Sequence, residues 1–191
     1  SAGGEGDVAA AIALAVGHPL GAGDARYRLQ SPHHAGDVDT VPFGCYRKTV
    51  WERLGGYDES LLANEDYEFH WRVRAAGGRV YFDPAIRVEY YARATLGELA
   101  RQYFRYGWWK AQMLRRHPRS LRWRQALPVI ALAAVVFLIL ISFFSEAGRL
   151  FLFLFFFFYL FSLALAAVPT AIQRRSFVLL LALPLAFATV H

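Results

Sequence analysis

Three scarcities shape this 191-residue chain before any motif is considered. Its one cysteine, Cys45, excludes an internal disulfide and fits a reducing compartment. Its one methionine is Met113, the first residue is Ser1, and no basic-then-apolar leader opens the chain, so the sequence reads as part of a longer protein. Charge is the third: residues 1–124 carry it throughout, whereas from Gln125 onward it nearly vanishes. That step is a domain boundary. No internal repeat or low-complexity linker is visible, which sets aside repeat arrays.

What fills the chain is apolar. Hydrophobic residues make up 56%, with sixteen Phe, more than a soluble domain of this length needs. Two runs, Ala126 to Phe144 and Leu150 to Val168, approach the roughly 20 residues that a helix needs to cross a bilayer. A third, Phe177 to Val190, is shorter and reads as a truncated span in preference to a re-entrant segment. The stretch before the first run holds Arg101, Arg105, Lys110, Arg115, Arg116, Arg119, Arg122 and Arg124 with no acid, and Arg174 and Arg175 follow the second run. Two crossings put both basic segments on one side, which the positive-inside rule makes cytoplasmic. The net charge of +6 raises nucleic acid as a partner, but cations mixed with Trp108, Trp109 and Trp123 beside a span point instead to an anionic membrane surface.

The first half alternates helix and strand signals. A helix is expected over Asp7 to Val16, too short to cross a bilayer, then a Gly/Pro-rich loop from His18 to Gly23. Tyr27 to Gly36 reads as a polar loop whose neighbouring His33 and His34 lack the further ligands of a metal site. Strands are expected at Asp39 to Cys45, Arg79 to Phe82 and Ile86 to Tyr90, and helices at Arg47 to Leu54 and Glu65 to Ala76, the latter with Phe69, Val73 and Ala76 on one face. This alternation predicts an α/β domain.

Chemistry concentrates at Asn64-Glu65-Asp66-Tyr67-Glu68, between the Gly55-Gly56-Tyr57-Asp58 turn and the Ala75-Ala76-Gly77-Gly78 helix stop. Asn64 is placed to cap the helix, leaving Glu65 and Asp66 in the first turn, where the helix dipole favours negative charge by roughly 0.3–1 kcal/mol and keeps Asp66 ionised. A carboxylate fixed there suits a general base, although acids at a helix start also serve simply as caps.

Taken in order, Val38-Asp39-Thr40-Val41, Phe43-Gly44, Gly55-Gly56-Tyr57-Asp58-Glu59, Asn64-Glu65-Asp66 and Ala75-Ala76-Gly77-Gly78-Arg79-Val80-Tyr81 resemble the carboxy-terminal half of family 2 glycosyltransferases, closest to the membrane-attached succinoglycan-biosynthesis type. Arg101-Gln102-Tyr103-Phe104-Arg105-Tyr106-Gly107 strengthens the resemblance, which runs from about Gly17 to Pro118. It implies an α/β GT-A fold and inverting transfer of a hexose from a nucleotide-sugar donor, such as UDP-hexose, to a lipid-linked or growing polysaccharide acceptor at a bacterial inner membrane. Asp66 then takes the role of catalytic base, with Glu65 beside it shaping the acceptor pocket. Gln102, Arg105 and Tyr106 stand where related processive enzymes carry Gln-X-X-Arg-Trp, with Tyr in place of Trp, and would bind the leaving diphosphate and the acceptor sugar; a solvated basic helix is the plainer alternative. Gly44 and Arg93 are further substrate contacts, Arg93 toward phosphate. Asp39 either approaches the sugar pocket or only turns the chain.

The resemblance also implies a divalent cation, Mg2+ or Mn2+, held by an Asp-X-Asp motif at a strand end. The only match, Asp37-Val38-Asp39, follows a polar loop and is not assigned as the metal site; the motif and the uridine pocket are expected upstream of Ser1. The expected organisation is residues 1–97 as the second part of a GT-A domain that would not fold alone, 98–124 as a basic aromatic juxtamembrane helix, and 125–191 as membrane spans. A non-catalytic transport or assembly subunit accounts for the spans equally well, but not for the Glu-Asp helix start followed by Gln-X-X-Arg.

Overall fold

The computed structural model describes residues 6–23, 25–29, 34–88 and 90–191. Eight helices and two short strands follow one another: α1 (Asp7–Val16), α2 (Pro19–Ala22), β1 (Gly36–Asp37), α3 (Lys48–Leu54), α4 (Glu65–Ala75), β2 (Tyr81–Phe82), α5 (Leu96–Arg116), α6 (Trp123–Ser142), α7 (Glu146–Arg174) and α8 (Leu179–Val190). Single 3-10 turns stand at Arg26–Arg28 and Pro118–Ser120.

The two strands pair antiparallel, Gly36 with Phe82 and Asp37 with Tyr81, and the Val38 amide extends the pairing by donating to the Val80 carbonyl at 2.9 Å. The described residues are thus mostly helical, and the three expected strands reduce to one short ladder. Within 39–45 the chain turns at Pro42 and Phe43. Pro42 has no N–H for a ladder, and Phe43 takes a positive φ of 51°, with its side chain 81% exposed. Beyond β2, Asp83 turns the chain by accepting from the Ala85 amide, and Ile86 and Val88 stand exposed without a ladder; Glu89 lies outside the described residues.

Two apolar cores organise the chain. One is small and aromatic: Phe69, Val73 and Val80 are buried against Val38, Val41, Tyr46, Val50, Trp51, Leu54 and Tyr57. Tyr46 meets Phe69 edge-on at 4.8 Å between ring centroids, and Trp51 meets Tyr57 likewise. Ala76, expected on the same face, is exposed because α4 has already ended: Gly77, at φ 80°, reverses the chain and the Gly78 amide returns to the Val73 carbonyl. The turn after α3 needs Gly56 in the same way, since a Cβ there would lie 2.9 Å from the Trp51 ring at a φ of 68°.

The second core joins α1, the first turn of α5, the last third of α7, and α8. Ala11, Ala15, Ala167, Ala171, Ala182 and Ala186 bring the backbones close around Ile12, Leu99, Leu163, Leu183 and Phe187. Helix α1 therefore packs onto the apolar helices of the second half.

Gln125–Ser142 and Glu146–Arg174 are long and apolar enough to cross a membrane, and most of their large apolar side chains face outward. Helix α7 runs six residues past the expected end of its apolar run, carrying Pro169 inside it. Helix α8, of 12 residues, is about 18 Å long and shorter than a bilayer core. Ser145 caps α7, and Gly148 lets the two long helices meet closely, because a Cβ there would lie 2.5 Å from Ile141 Cγ2. The expected single helix over 98–124 is divided. Pro118 forces His117 out of the helical region, to φ −127° and ψ 69°, and so ends α5 before the α6 axis begins.

Candidate active site

Helix α4 positions Asp66, and a buried ion pair positions α4. Glu68 is 1% exposed and takes Arg72 in a two-pronged contact, Oε1 to Nε and Oε2 to Nη2, both 2.7 Å. Arg72 also donates to the Leu54 and Gly56 carbonyls, which close the α3 turn. His117, at the end of α5, reaches Glu68 Oε1 at 3.0 Å from its Nε2 and lies against Trp71 with 4.4 Å between ring centroids. One carboxylate thus ties α4 to the α3 turn and to α5.

Asn64 occupies the cap position, but its side chain does not cap the helix. It stands in the left-handed region at φ 65° and its Nδ2 donates to the Tyr106 carbonyl at 3.1 Å. The start of α4 is thereby fastened to the α5 turn that contains Gln102 and Tyr106. Asp66 Oδ1 accepts from the Tyr67 amide at 2.6 Å. Burial pushes the Asp66 carboxyl above the usual carboxylate range, against the pull of that amide and of Arg28, while Glu65 adds to the rise. Desolvation thus outweighs the helix dipole expected to hold Asp66 ionised, and a raised proton affinity suits a base.

Around Asp66 gathers a polar neighbourhood. Arg28, an electrostatic neighbour of Asp66, donates from Nη1 to the Tyr103 hydroxyl at 3.3 Å. Gln102 is buried and donates from Nε2 to the Tyr106 hydroxyl at 2.7 Å and the Tyr90 hydroxyl at 3.4 Å, while its Oε1 accepts from Arg93 Nε at 3.0 Å. Burial raises the Tyr27 and Tyr103 phenols. Gln102, Tyr106 and Arg93 are therefore gathered on one site. Arg105 is not: it lies on the exposed flank of α5 and makes no polar contact among the described residues. The guanidinium beside Gln102 is Arg93.

Gly44 abuts a second network. A Cβ there would lie 2.5 Å from the Tyr46 hydroxyl and 3.1 Å from His70 Nε2. His70 is buried and spans Thr40 Oγ1 and the Tyr46 hydroxyl, both at 2.9 Å, and Tyr46 continues to the Tyr57 hydroxyl at 3.2 Å. Burial lowers His70 to about 4, so it is neutral, one ring nitrogen donating and the other accepting. His70 stands one turn after Asp66, and Tyr46 senses the Asp66 charge, so the 40–46 loop is held beside the same helix face.

Asp39 is engaged in ion pairs with Arg74, at 3.5 Å, and with Arg122. Asp37 pairs with the exposed Arg79 at 2.7 Å. These pairings, and the lack of any group of three or more His, Cys, Asp or Glu among the described residues, leave no set there that fits the expected divalent cation. His34 is exposed, and His33 lies outside the described residues.

Sequence reasoning missed Tyr27, Arg28, Tyr90, His70 and the Glu68–Arg72–His117 tie. Arg28 is 75 positions from Tyr103, so no local pattern joins them. Glu68 and Arg72 were readable as an i, i+4 pair, although nothing local announces that the pair is buried.

No protein-family model matches the chain, and no solved structure does. Among curated proteins it is similar to the succinoglycan biosynthesis protein ExoA of Rhizobium meliloti, 34% identical over 127 residues, covering 66% of this chain and 38% of that protein. It is 33% identical over 105 residues to the pre-mycofactocin glycosyltransferase of Mycobacterium tuberculosis, covering 54% of this chain and 21% of the relative. A glucuronosyltransferase of Methanococcus voltae acting on a dolichyl-linked N-acetylglucosaminyl phosphate is 25% identical over 120 residues, covering 59% and 37%. The chain spans well under half the length of each of these relatives. By these matches the chain is similar to curated glycosyltransferases, a likeness of the family 2 type.

Proposed function

We propose that the chain belongs to a membrane-bound inverting glycosyltransferase that moves a hexose from a nucleotide sugar to a lipid-linked saccharide at the cytoplasmic face. In this reading residues 1–97 are part of a GT-A α/β domain, 98–124 lie along the membrane surface, and α6 and α7 cross it. The observation that carries the proposal is the fastening of the Asp66 helix start to α5 through Asn64 and Tyr106, beside Gln102.

Asp66 takes the proton from the acceptor hydroxyl as that oxygen attacks the anomeric carbon, and its raised proton affinity suits the task. Glu65 shapes the acceptor side. Arg93, held by Gln102, and Arg28 supply positive charge toward the departing diphosphate, and Tyr106 offers a ring to the sugar. The relatives' names support this substrate class: one is a succinoglycan biosynthesis protein, and one is named for transfer to a dolichyl-linked sugar phosphate.

The test is transfer from labelled nucleotide hexoses to lipid extracts by the full-length protein in bilayers. A labelled, lipid-extractable product is expected with at least one donor. Absence of product with every donor, from protein that binds the nucleotide, would refute the reading.

A further inference from the structure

Tyr67 and Arg74 lie two turns apart on α4, Tyr67 against Lys110 of α5 and the Ser120 carbonyl, and Arg74 within electrostatic reach of Lys110. Lys110 Nζ sits 3.4 Å from the centre of the Tyr67 ring and 3.8 Å from Met113 Sδ, with no carboxylate at ion-pair distance among the described residues. Arg74 is its electrostatic neighbour, and the nearby carboxylate, Asp39, is already shared between Arg74 and Arg122.

Two donors here are left over. Arg74 Nε is buried without a hydrogen-bond partner, and so is the hydroxyl of Ser120, a residue only 3% exposed. Ser120 joins the cluster through its carbonyl, which accepts from the Tyr67 hydroxyl at 3.4 Å. Gln125, where the apolar stretch of α6 begins, donates to that same hydroxyl. Buried donors left without a protein acceptor, beside Lys110 and an Arg74 that already shares its carboxylate, favour an anionic acceptor.

We propose that Lys110, Arg74 and Ser120 form a binding site for a phosphate-type oxyanion at the membrane rim, separate from the Asp66 neighbourhood and independent of the transfer reaction. The oxyanion has two possible sources, the headgroup of an anionic phospholipid and free phosphate. The position beside the start of α6 favours the lipid.

The chain offers an internal readout, because Lys110 and the exposed Lys48 are its two lysines. Burial, with Arg74 adding, lowers Lys110 to about 8, so a sizeable fraction is free amine at pH 8. A bound oxyanion restores the ammonium: at pH 8 the first pKa unit recovered cuts free amine about fivefold and each further unit about tenfold. The experiment is amine acylation of the full chain at pH 8, read by mass spectrometry as the Lys110 rate relative to Lys48. One arm uses detergent micelles with and without inorganic phosphate at constant ionic strength; the other compares phosphatidylcholine nanodiscs with and without phosphatidylglycerol.

A fall of about tenfold for Lys110 alone is expected with phosphatidylglycerol. The same fall with phosphate alone also supports the site and assigns it to the free anion. Ser120→Ala leaves the anion-free rate unchanged and raises the half-protecting concentration about tenfold, since one hydrogen bond to a charged group is lost. Lys110 rates that ignore both anions, or that track Lys48, overturn the proposal. Protection unaltered by Ser120→Ala removes Ser120 from the site and overturns it as stated.

Discussion

Replacing Glu68 with glutamine tests how the fold holds its candidate base in place. The substitution is isosteric, yet it turns a buried two-pronged carboxylate into an amide whose NH2 faces the Arg72 guanidinium. Removing one partner of a buried pair costs about 3–5 kcal/mol. Here Arg72 keeps the Leu54 and Gly56 carbonyls and its side chain is 22% exposed, so the cost falls to the bottom of that range or just below it, about 2–3 kcal/mol. The loss falls on α4 and its ties to the α3 turn and His117, and amide exchange of α4 reads it directly. With the full chain in nanodiscs, α4 amides that exchange through unfolding of this unit should speed up roughly 30- to 150-fold, with α6 and α7 unchanged. Glu68→Leu combined with Arg72→Met should recover most of the protection, because no charge is then left buried without its partner. An acceleration under about threefold would show that the pair does not hold α4, and the reasoning would fail.

Further outcomes follow from the same network and from the apolar half. His70 is neutral in the fold at about 4 against an ordinary 6.5, so the unfolded chain takes up the proton first as pH falls. Its contribution is whole above pH 6.5 and is lost between about 6.5 and 4, on the order of 3 kcal/mol, and His70→Gln should flatten that part of the stability profile followed by tryptophan fluorescence. Gly44→Ala pushes a methyl against the Tyr46 hydroxyl and ring and should cost about 1–3 kcal/mol in the same assay; Tyr46→Phe should recover only part of it, because Cζ still lies 2.8 Å from the new methyl, and a cost under about 0.5 kcal/mol would show that the loop gives way freely. Gly148→Leu should separate α6 from α7 near Ile141, read as a lengthened distance between spin labels at the hairpin; an unchanged distance would show that the close approach is not needed.

How much of this was legible in the residues depends on the range of the interaction. The helices at Asp7, Lys48 and Glu65 start within a residue of where caps, periodicity and glycine stops place them, because those signals act over one or two turns. The long apolar helices follow from composition alone. The strands did not: an apolar run such as Val41-Pro42-Phe43 becomes a strand only with a partner, and the local proline and a left-handed Phe43 make it a turn. Asp66 was found as an acid at a helix start, but its environment was misread, because the dipole is local and burial is set by Tyr27, Arg28 and α5 from far along the chain. Gln102 and Tyr106 were singled out by the resemblance to Gln-X-X-Arg-Trp, and the structure joins them by a hydrogen bond. Arg105 was grouped with them by that same resemblance, although Gln102 turns inward and Arg105 outward.

The central claim is that Asp66 is the base, and the most direct measurement is hexose transfer by full-length Asp66→Asn protein alongside nucleotide-sugar binding. The account predicts a fall in turnover of about 10²- to 10⁴-fold with binding unchanged, and, in the unmodified protein, an acid limb of the rate profile lying above the ordinary carboxylate range. Transfer within a few-fold of normal by the asparagine variant would contradict it.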